Sequence, residues 1–279
     1  MSENNTVVQH RVRDVSYITD FNSREADAII RLQTNIDFAS LDKKITCYAV
    51  TSTQEAEGKT TLSCNLAILY AQKGLKVALV DLDLRQPAIN KVFNFKNEIG
   101  VVEYVKGDVD SLDDLIHTCE GVDVISAGSH TPFPGKILSS KKMTELIEQL
   151  KAKYDYVILD TPPVLVVSDA YLIGKSVDGF LMVAAQHISK KKELVAAIKA
   201  LQEKQMNVIG ISIGMVTTDE DHGKGGYGGY AYGYNQKYGY GENTKTKQKR
   251  HRTTKPKTTS STTKKTTASK ETTKKETKK

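Results

Sequence analysis

Apolar positions along this chain recur at two spacings, and the alternation between them predicts the fold. From Ser23 onward, Ala26, Ile29, Ile30, Ile36 and Phe38 return at roughly three- and four-residue intervals, which predicts an amphipathic helix. Residues 45–51 form a short apolar run ending in polar side chains and predict a first strand. Residues 59–73 revert to helical spacing, with Leu62, Leu66, Leu69 and Tyr70 on one face, and Gly74 stops that helix. Further strands are predicted over 77–80 (ending at Asp81), 122–126, 154–160, 179–185 and 208–213. Further helices are predicted over 101–105, 139–152 and 191–205. Buried strands alternating with helices predict an α/β fold, with a mostly parallel sheet covered by helices on both faces. Ligands in such sheets bind at the carboxyl ends of the strands, and the chain's three notable polar clusters each follow a strand at that end.

Composition divides the chain further. Residues 1–22 read as a loosely ordered lead-in and 23–218 as one domain. Residues 219–241 are a Gly/Tyr-rich tail and 242–279 a basic Lys/Thr-rich extension. Neither of the last two buries enough apolar surface to offset the entropy of ordering, so a disordered C-terminal tail is expected. The charge is just as uneven. Residues 242–279 hold 14 Lys or Arg and 3 Glu, a net of +11, which leaves −4 on residues 1–241 of a chain whose total is +7. The basic balance therefore belongs to the tail, and no specific nucleic-acid partner is expected of the body. Cys47, Cys64 and Cys119 match no metal spacing and sit among apolar residues, as buried thiols do in a reducing compartment. The polar N-terminus and the lack of a long apolar run predict a cytoplasmic protein that reaches a membrane only through a partner.

The first polar cluster is Ser52-Thr53-Gln54-Glu55-Ala56-Glu57-Gly58-Lys59-Thr60-Thr61, between a strand and a helix. A loop so placed wraps phosphates with backbone N–H groups, Lys59 supplies a point charge for the β- and γ-phosphates, and Thr60 supplies a hydroxyl to Mg²⁺. The second, Val77 to Arg85, places Asp81 and Asp83 on one side if the extended form continues. Two carboxylates beside a triphosphate repel it unless Mg²⁺ or a proton intervenes. The third, Val157-Ile158-Leu159-Asp160-Thr161-Pro162-Pro163, closes a buried strand with an Asp of the kind that serves Mg²⁺. A fourth feature is six tyrosines within fourteen residues, Tyr227, Tyr230, Tyr232, Tyr234, Tyr238 and Tyr240, set among glycines.

Taken in order, these motifs resemble the three Walker-type motifs and the C-terminal tyrosine cluster of the bacterial tyrosine kinases of capsule and exopolysaccharide assembly. The resemblance runs over about residues 23–241 and includes Thr34-Asn35-Ile36 and Ser168-Asp169-Ala170. It implies an ATP- and Mg²⁺-dependent protein-tyrosine kinase of the type whose transmembrane activator is a separate polypeptide. It further implies catalytic roles for Lys59, Asp81, Asp83 and Asp160. Glu57, Gly58, Lys59, Thr60, Thr61 and Arg85 are implied at the nucleotide, Thr60, Asp81 and Asp160 at the metal, and the six tail tyrosines as autophosphorylation sites. Which of Asp81 and Asp83 is the base stays open, as does whether Arg85 steadies phosphate or pairs with an Asp. The implied partners are a membrane-embedded chain-length activator, a tyrosine phosphatase, and other copies of the chain phosphorylated in trans.

The chain departs from the family pattern at several places. Glu55-Ala56 stands where Pro-Gly is common. Asp27, Ile30 and Gln33 occupy the places of a Glu-x-x-Arg-x-x-Arg ring-assembly motif. Gly214 stands where an Asn often meets the base, and Phe133 is set between Pro132 and Pro134. Two other readings use the same fold: a MinD/ParA-type ATPase, whose signature Lys is replaced here by Gln54, and a non-catalytic nucleotide-binding regulator of polysaccharide assembly.

Overall fold

The computed structural model describes residues 23–41 and 43–216. The lead-in, the Gly/Tyr stretch with its six tyrosines and the basic extension lie outside the described residues. Within them the chain forms α1 (Arg24–Ala39), β1 (Cys47–Ser52), α2 (Lys59–Gln72), β2 (Val77–Asp81), α3 (Ile89–Val92), α4 (Val101–Lys106), β3 (Ile116–Cys119) and β4 (Val122–Ile125). It continues through α5 (Pro134–Leu138), α6 (Lys141–Lys153), β5 (Tyr156–Asp160), α7 (Asp169–Leu172), β6 (Gly179–Ala185), α8 (Lys191–Glu203) and β7 (Val208–Gly214). The strands make one seven-stranded sheet in the order β3-β4-β2-β5-β1-β6-β7. Every neighbouring pair is parallel except β3 and β4, which are antiparallel.

Alternation sorts the side chains of each strand to two faces. Cys47, Ala49, Ala78, Val80, Val157 and Leu159 pack with residues of α4, α6 and α8. Tyr48, Val50, Val77, Leu79 and Ile158 pack on the opposite face with residues of α1 and α2. The helices close with local signals. Ser23 Oγ accepts from Ala26 N at 3.1 Å to start α1, and Ser140 Oγ accepts from Met143 N at 3.1 Å to start α6. Gly74, at φ +80°, turns the chain out of α2.

The structure adds one strand, β3, that apolar spacing does not predict. It forms a hairpin with β4 through Glu120 and Gly121, both at positive φ (51° and 79°), the backbone of a two-residue hairpin turn. Tyr154 is not yet in β5: its N–H donates to Leu150 O at 3.0 Å and it closes α6 instead. The three cysteines are free and buried. Among the described residues no helix is long and apolar enough to cross a membrane.

Strand order positions the site. β5 lies between β1 and β2, with Val50 opposite Asp160 and Asp81 opposite Asp160. The ends of the three strands that carry the polar clusters are therefore adjacent, although the chain visits them far apart.

Candidate active site

The loop after β1 is shaped by its own side chains. Ala56 (φ 62°) and Gly58 (φ 89°) both adopt the left-handed region, which turns the chain from strand into α2. The Glu57 carboxylate is turned inward and buried. It accepts hydrogen bonds from Thr53 N at 2.6 Å, Thr53 Oγ1 at 2.7 Å, Gln54 N at 3.1 Å and the Ser189 hydroxyl. Gln54 Nε2 adds a bond to Ile188 O at 3.0 Å, so the loop is tied to the segment after β6 on one side. The start of α2 has no side-chain cap. Its first N–H groups, with the positive end of the helix dipole, thus face the loop as an anion site does. Thr61 is exposed in that first turn, and its carbonyl accepts from Asn65 Nδ2 at 2.7 Å.

Two carboxylates converge on Lys59 and Thr60. Lys59 Nζ donates to Asp83 Oδ2 at 2.9 Å and lies 3.8 Å from Asp160 Oδ2. Thr60 Oγ1 donates to Asp160 Oδ2 at 2.6 Å, and Ser63 Oγ donates to Asp160 Oδ1 at 3.2 Å. Burial opposes the charge on Lys59, but Asp160 and Asp83 outweigh it and the ammonium pKa is raised. Burial raises the Asp160 pKa, while Lys59 and Thr60 pull it down.

Asp81 is pushed up to about 7, first by burial and then by the Asp160 charge. Its oxygens accept from Asp83 N at 3.1 Å, Ala88 N at 3.0 Å and Ile89 N at 3.1 Å. β2 ends at Asp81: Leu82 N makes the last ladder bond to Asp160 O at 2.8 Å, and Asp83 N then turns back to Asp81 Oδ1. Asp83 therefore sits in a loop that Asp81 braces, and its own Oδ1 accepts from Gln86 N at 3.0 Å.

Arg85 is committed elsewhere. Its Nε and a terminal nitrogen donate to the two oxygens of Asp169 at 2.7 and 3.0 Å, and Asp169 is buried at the start of α7. Of the two roles left open for Arg85, pairing with an Asp is the one the geometry displays. Glu55 points outward, where its Oε1 accepts from Gln86 Nε2 at 3.1 Å. Gly214 ends β7 with its carbonyl accepting from Gln186 N at 3.0 Å, and Met215 follows at φ 53°. The Met215 methyl would lie 3.9 Å from a Cβ placed on Gly58, so β7 ends against the phosphate loop.

Lys59, Thr60, Asp81, Asp83 and Asp160 are thus brought together, while Glu57 braces the loop and Arg85 is drawn to Asp169. Ser63, Asp169 and Ser189 complete these contacts without having been singled out as partners. Ser63 carries a local signal, one helical turn after Thr60, and Asp169 lies in the Ser168-Asp169-Ala170 motif, which does not name its partner. Among the described residues no group of three or more His, Cys, Asp or Glu is arranged to hold a metal. Mg²⁺ binds through one or two carboxylates plus substrate phosphates rather than in an all-protein cage, so the Thr60 and Asp160 oxygens are of the kind it takes.

The sheet and this constellation define a P-loop nucleotide-binding domain, and the family described as AAA domain matches residues 46–211. The tyrosine-protein kinase YwqD of Bacillus subtilis (strain 168) is 34% identical over 200 residues, 71% of this chain and 84% of the relative. The tyrosine-protein kinase etk of Escherichia coli (strain K12) is 33% identical over 206 residues, 72% of this chain, and the chain spans only 28% of that longer relative. The crystal structure of the chimerical protein CapA2B2 superposes with a TM-score of 0.70 at 27% identity, covering 73% of this chain and 90% of that one. The chain belongs to the bacterial tyrosine kinases.

Proposed function

We propose that this chain transfers the γ-phosphoryl group of ATP to tyrosines, first to those of its own C-terminal segment on another copy, and thereby regulates capsular or exopolysaccharide synthesis and export. The observation that carries the reading is the convergence of Lys59, Thr60, Asp83 and Asp160 at adjacent strand ends, beside a loop and helix start shaped for phosphate. Thr60 and Asp160, with Asp81 behind them, would hold Mg²⁺, which neutralises charge on the β- and γ-phosphate oxygens when bound. Lys59 holds the β- and γ-phosphates from the side of the loop.

In the transfer the phenol oxygen forms a bond to the γ-phosphorus. The bond from that phosphorus to the bridging oxygen breaks, and its electron pair leaves on ADP. The phenol's proton, with an ordinary pKa near 10, passes to a nearby carboxylate. Asp83 suits that role better than Asp81. Asp83 lines the open cleft and holds one donor on each oxygen, Lys59 and Gln86 N, whereas Asp81 is fully buried and holds three backbone N–H groups. On this reading Asp81 positions the loop and Asp83 takes the proton.

The membrane-embedded activator, a tyrosine phosphatase that resets the tail and a cytoplasmic location at the membrane's inner face complete the proposal. Purified chain with γ-labelled ATP, Mg²⁺ and the activator's cytoplasmic segment tests it, followed by mapping of label on residues 223–241. Label on the tail tyrosines, abolished by Lys59→Met, is expected. Phosphate released to water with unmodified tyrosines would make the chain an ATPase instead.

A further inference from the structure

Residues 242–279 hold 12 Lys, 2 Arg and 3 Glu, and the site described above uses none of them. Pro256 and Ala268 are the only apolar residues of that stretch, and it contains no Phe, Tyr or Trp. Such a composition selects among negatively charged partners. Single-stranded nucleic acid is held by aromatic rings that stack on its bases, and two-pronged recognition of base edges and phosphates is the work of Arg. The stretch has no rings and only two guanidinium groups. It offers instead ammonium charge spread among Thr and Ser. A plane of anionic phospholipid headgroups attracts charge of that kind without a shaped pocket. With no large apolar side chain to insert below the headgroups, the contact is electrostatic alone, so it responds to salt and to any change in nearby charge.

The charge that the kinase reading adds falls next to this stretch in sequence. The tyrosines of the described domain are Tyr48, Tyr70, Tyr104, Tyr154, Tyr156 and Tyr171, of which the first four are buried and the other two half-buried. The Tyr154 hydroxyl is also held by Asp123 at 2.7 Å, and that of Tyr156 by Asp37 at 3.1 Å. Among the described residues no tyrosine is exposed. The cluster from Tyr227 to Tyr240 ends two positions before Glu242. Six phosphates there add about −9 to −12, which matches the +11 of residues 242–279 in size and opposes it in sign. Residues 1–241 carry −4, so their net charge does not hold the chain to a negative surface.

We propose that residues 242–279 bind the anionic phospholipid surface of a bilayer directly, and that phosphorylation of the neighbouring tyrosines releases them. The expectation drawn from the absence of a long apolar run is a chain that reaches a membrane only through a partner; this contact needs none. The lipid contact stands on charge alone, whereas release by the chain's own activity rests on the kinase reading.

The test is sedimentation of dephosphorylated full chain with vesicles of phosphatidylcholine alone, or of equal parts phosphatidylcholine and phosphatidylglycerol. Binding to the mixed vesicles is expected to be at least about a hundredfold tighter, and salt at about 1 M should remove it. One basic residue near such a surface strengthens binding about fivefold, so Lys264→Gln together with Lys265→Gln should weaken it about twentyfold, with the KM for ATP unchanged. Wild type labelled with ATP and Mg²⁺ should be released. A variant carrying Tyr227→Glu, Tyr230→Glu, Tyr232→Glu, Tyr234→Glu, Tyr238→Glu and Tyr240→Glu adds negative charge without any kinase step and should bind at least about tenfold more weakly. Equal binding to the two kinds of vesicle, unchanged binding in the lysine variant, or tighter binding to single-stranded DNA at equal phosphate concentration would overturn the lipid contact and leave the kinase reading standing. Full retention of the Glu-substituted chain would overturn the release. A wild type that binds the mixed vesicles but labels no tyrosine would overturn the kinase reading and leave the lipid contact standing.

Discussion

Four donors meet at the buried Glu57 carboxylate, from Thr53, Gln54 and Ser189. Glu57→Ala strips all of them of their acceptor, and buried unsatisfied donors cost about 1–3 kcal/mol each. Water entering the gap recovers part of this, so a loss of about 3 kcal/mol in urea unfolding is expected. ADP affinity should fall with it, since the loop loses its shape. An unchanged unfolding midpoint would show that the loop is braced elsewhere. Arg85→Ala acts differently, because it leaves the buried Asp169 without its partner. Arg85 is itself 44% exposed, so the expected loss is about 2 kcal/mol, below the 3–5 of a fully buried pair. Arg85→Lys should recover less than half of it, because an ammonium cannot make the two-pronged contact. Lys59, Thr60, Asp81, Asp83 and Asp160 are legible in the sequence because each belongs to a local motif at a strand end. The bonds from Glu57 to Ser189 and from Arg85 to Asp169 join residues 132 and 84 positions apart, and no spacing rule reaches that far.

At the scale of elements, α1 is held to the body by a polar contact in an apolar interface. Asp37 accepts from the Tyr156 hydroxyl at 3.1 Å and the Tyr70 hydroxyl at 3.5 Å, and the two rings stack with centroids 3.9 Å apart. Burial first, then the neighbouring Asp37, pushes Tyr156 up to about 12, and burial raises Tyr70 further. The folded state therefore favours neutral phenols, while the unfolded chain ionises near pH 10. The stability this contributes is complete below about pH 10 and is lost as pH rises from there through about 12. Thermal melts between pH 8 and 12 should show that decline, and Tyr156→Phe should lessen it, with Tyr70 still contributing, at a cost of about 1 kcal/mol at neutral pH. A decline of the same size in Tyr156→Phe would place its origin elsewhere.

Gly128 offers a second element-level test. At φ 87°, an added Cβ would come within 1.9 Å of the Glu103 carboxylate that caps α4, so Gly128→Ala should cost at least about 2 kcal/mol in urea unfolding. The longer strands and helices are legible because periodicity is strong over five or more residues. β3 is not, since its four residues are mostly half-exposed and carry no alternating apolar pattern. The helical turns α3, α5 and α7 are too short for a 3.6-residue period to register.

At the scale of the whole molecule, charge is divided so that modification reverses it. Residues 242–279 hold +11 against −4 on the rest, for a total of +7 and an isoelectric point near 9.0 expected from the sequence. Each phosphotyrosine adds about −1.5 to −2 at neutral pH. Six of them, on the tyrosines beside the basic extension, add about −9 to −12 and carry the chain to a net of about −2 to −5. The kinase reading thus makes a prediction independent of any acceptor peptide or partner. Chain incubated with ATP and Mg²⁺ should move in isoelectric focusing from near 9 to the acidic side of neutrality, in steps that follow the number of labelled tyrosines. Lys59→Met should stay at the basic position, because on that reading it lacks the cation proposed to hold the β- and γ-phosphates. The division of charge follows from composition alone, which is why the sequence carries it and the fold does not. A wild-type chain that consumes ATP yet stays at the basic position would separate nucleotide turnover from tail modification, and the carboxylates at the strand ends would then serve hydrolysis.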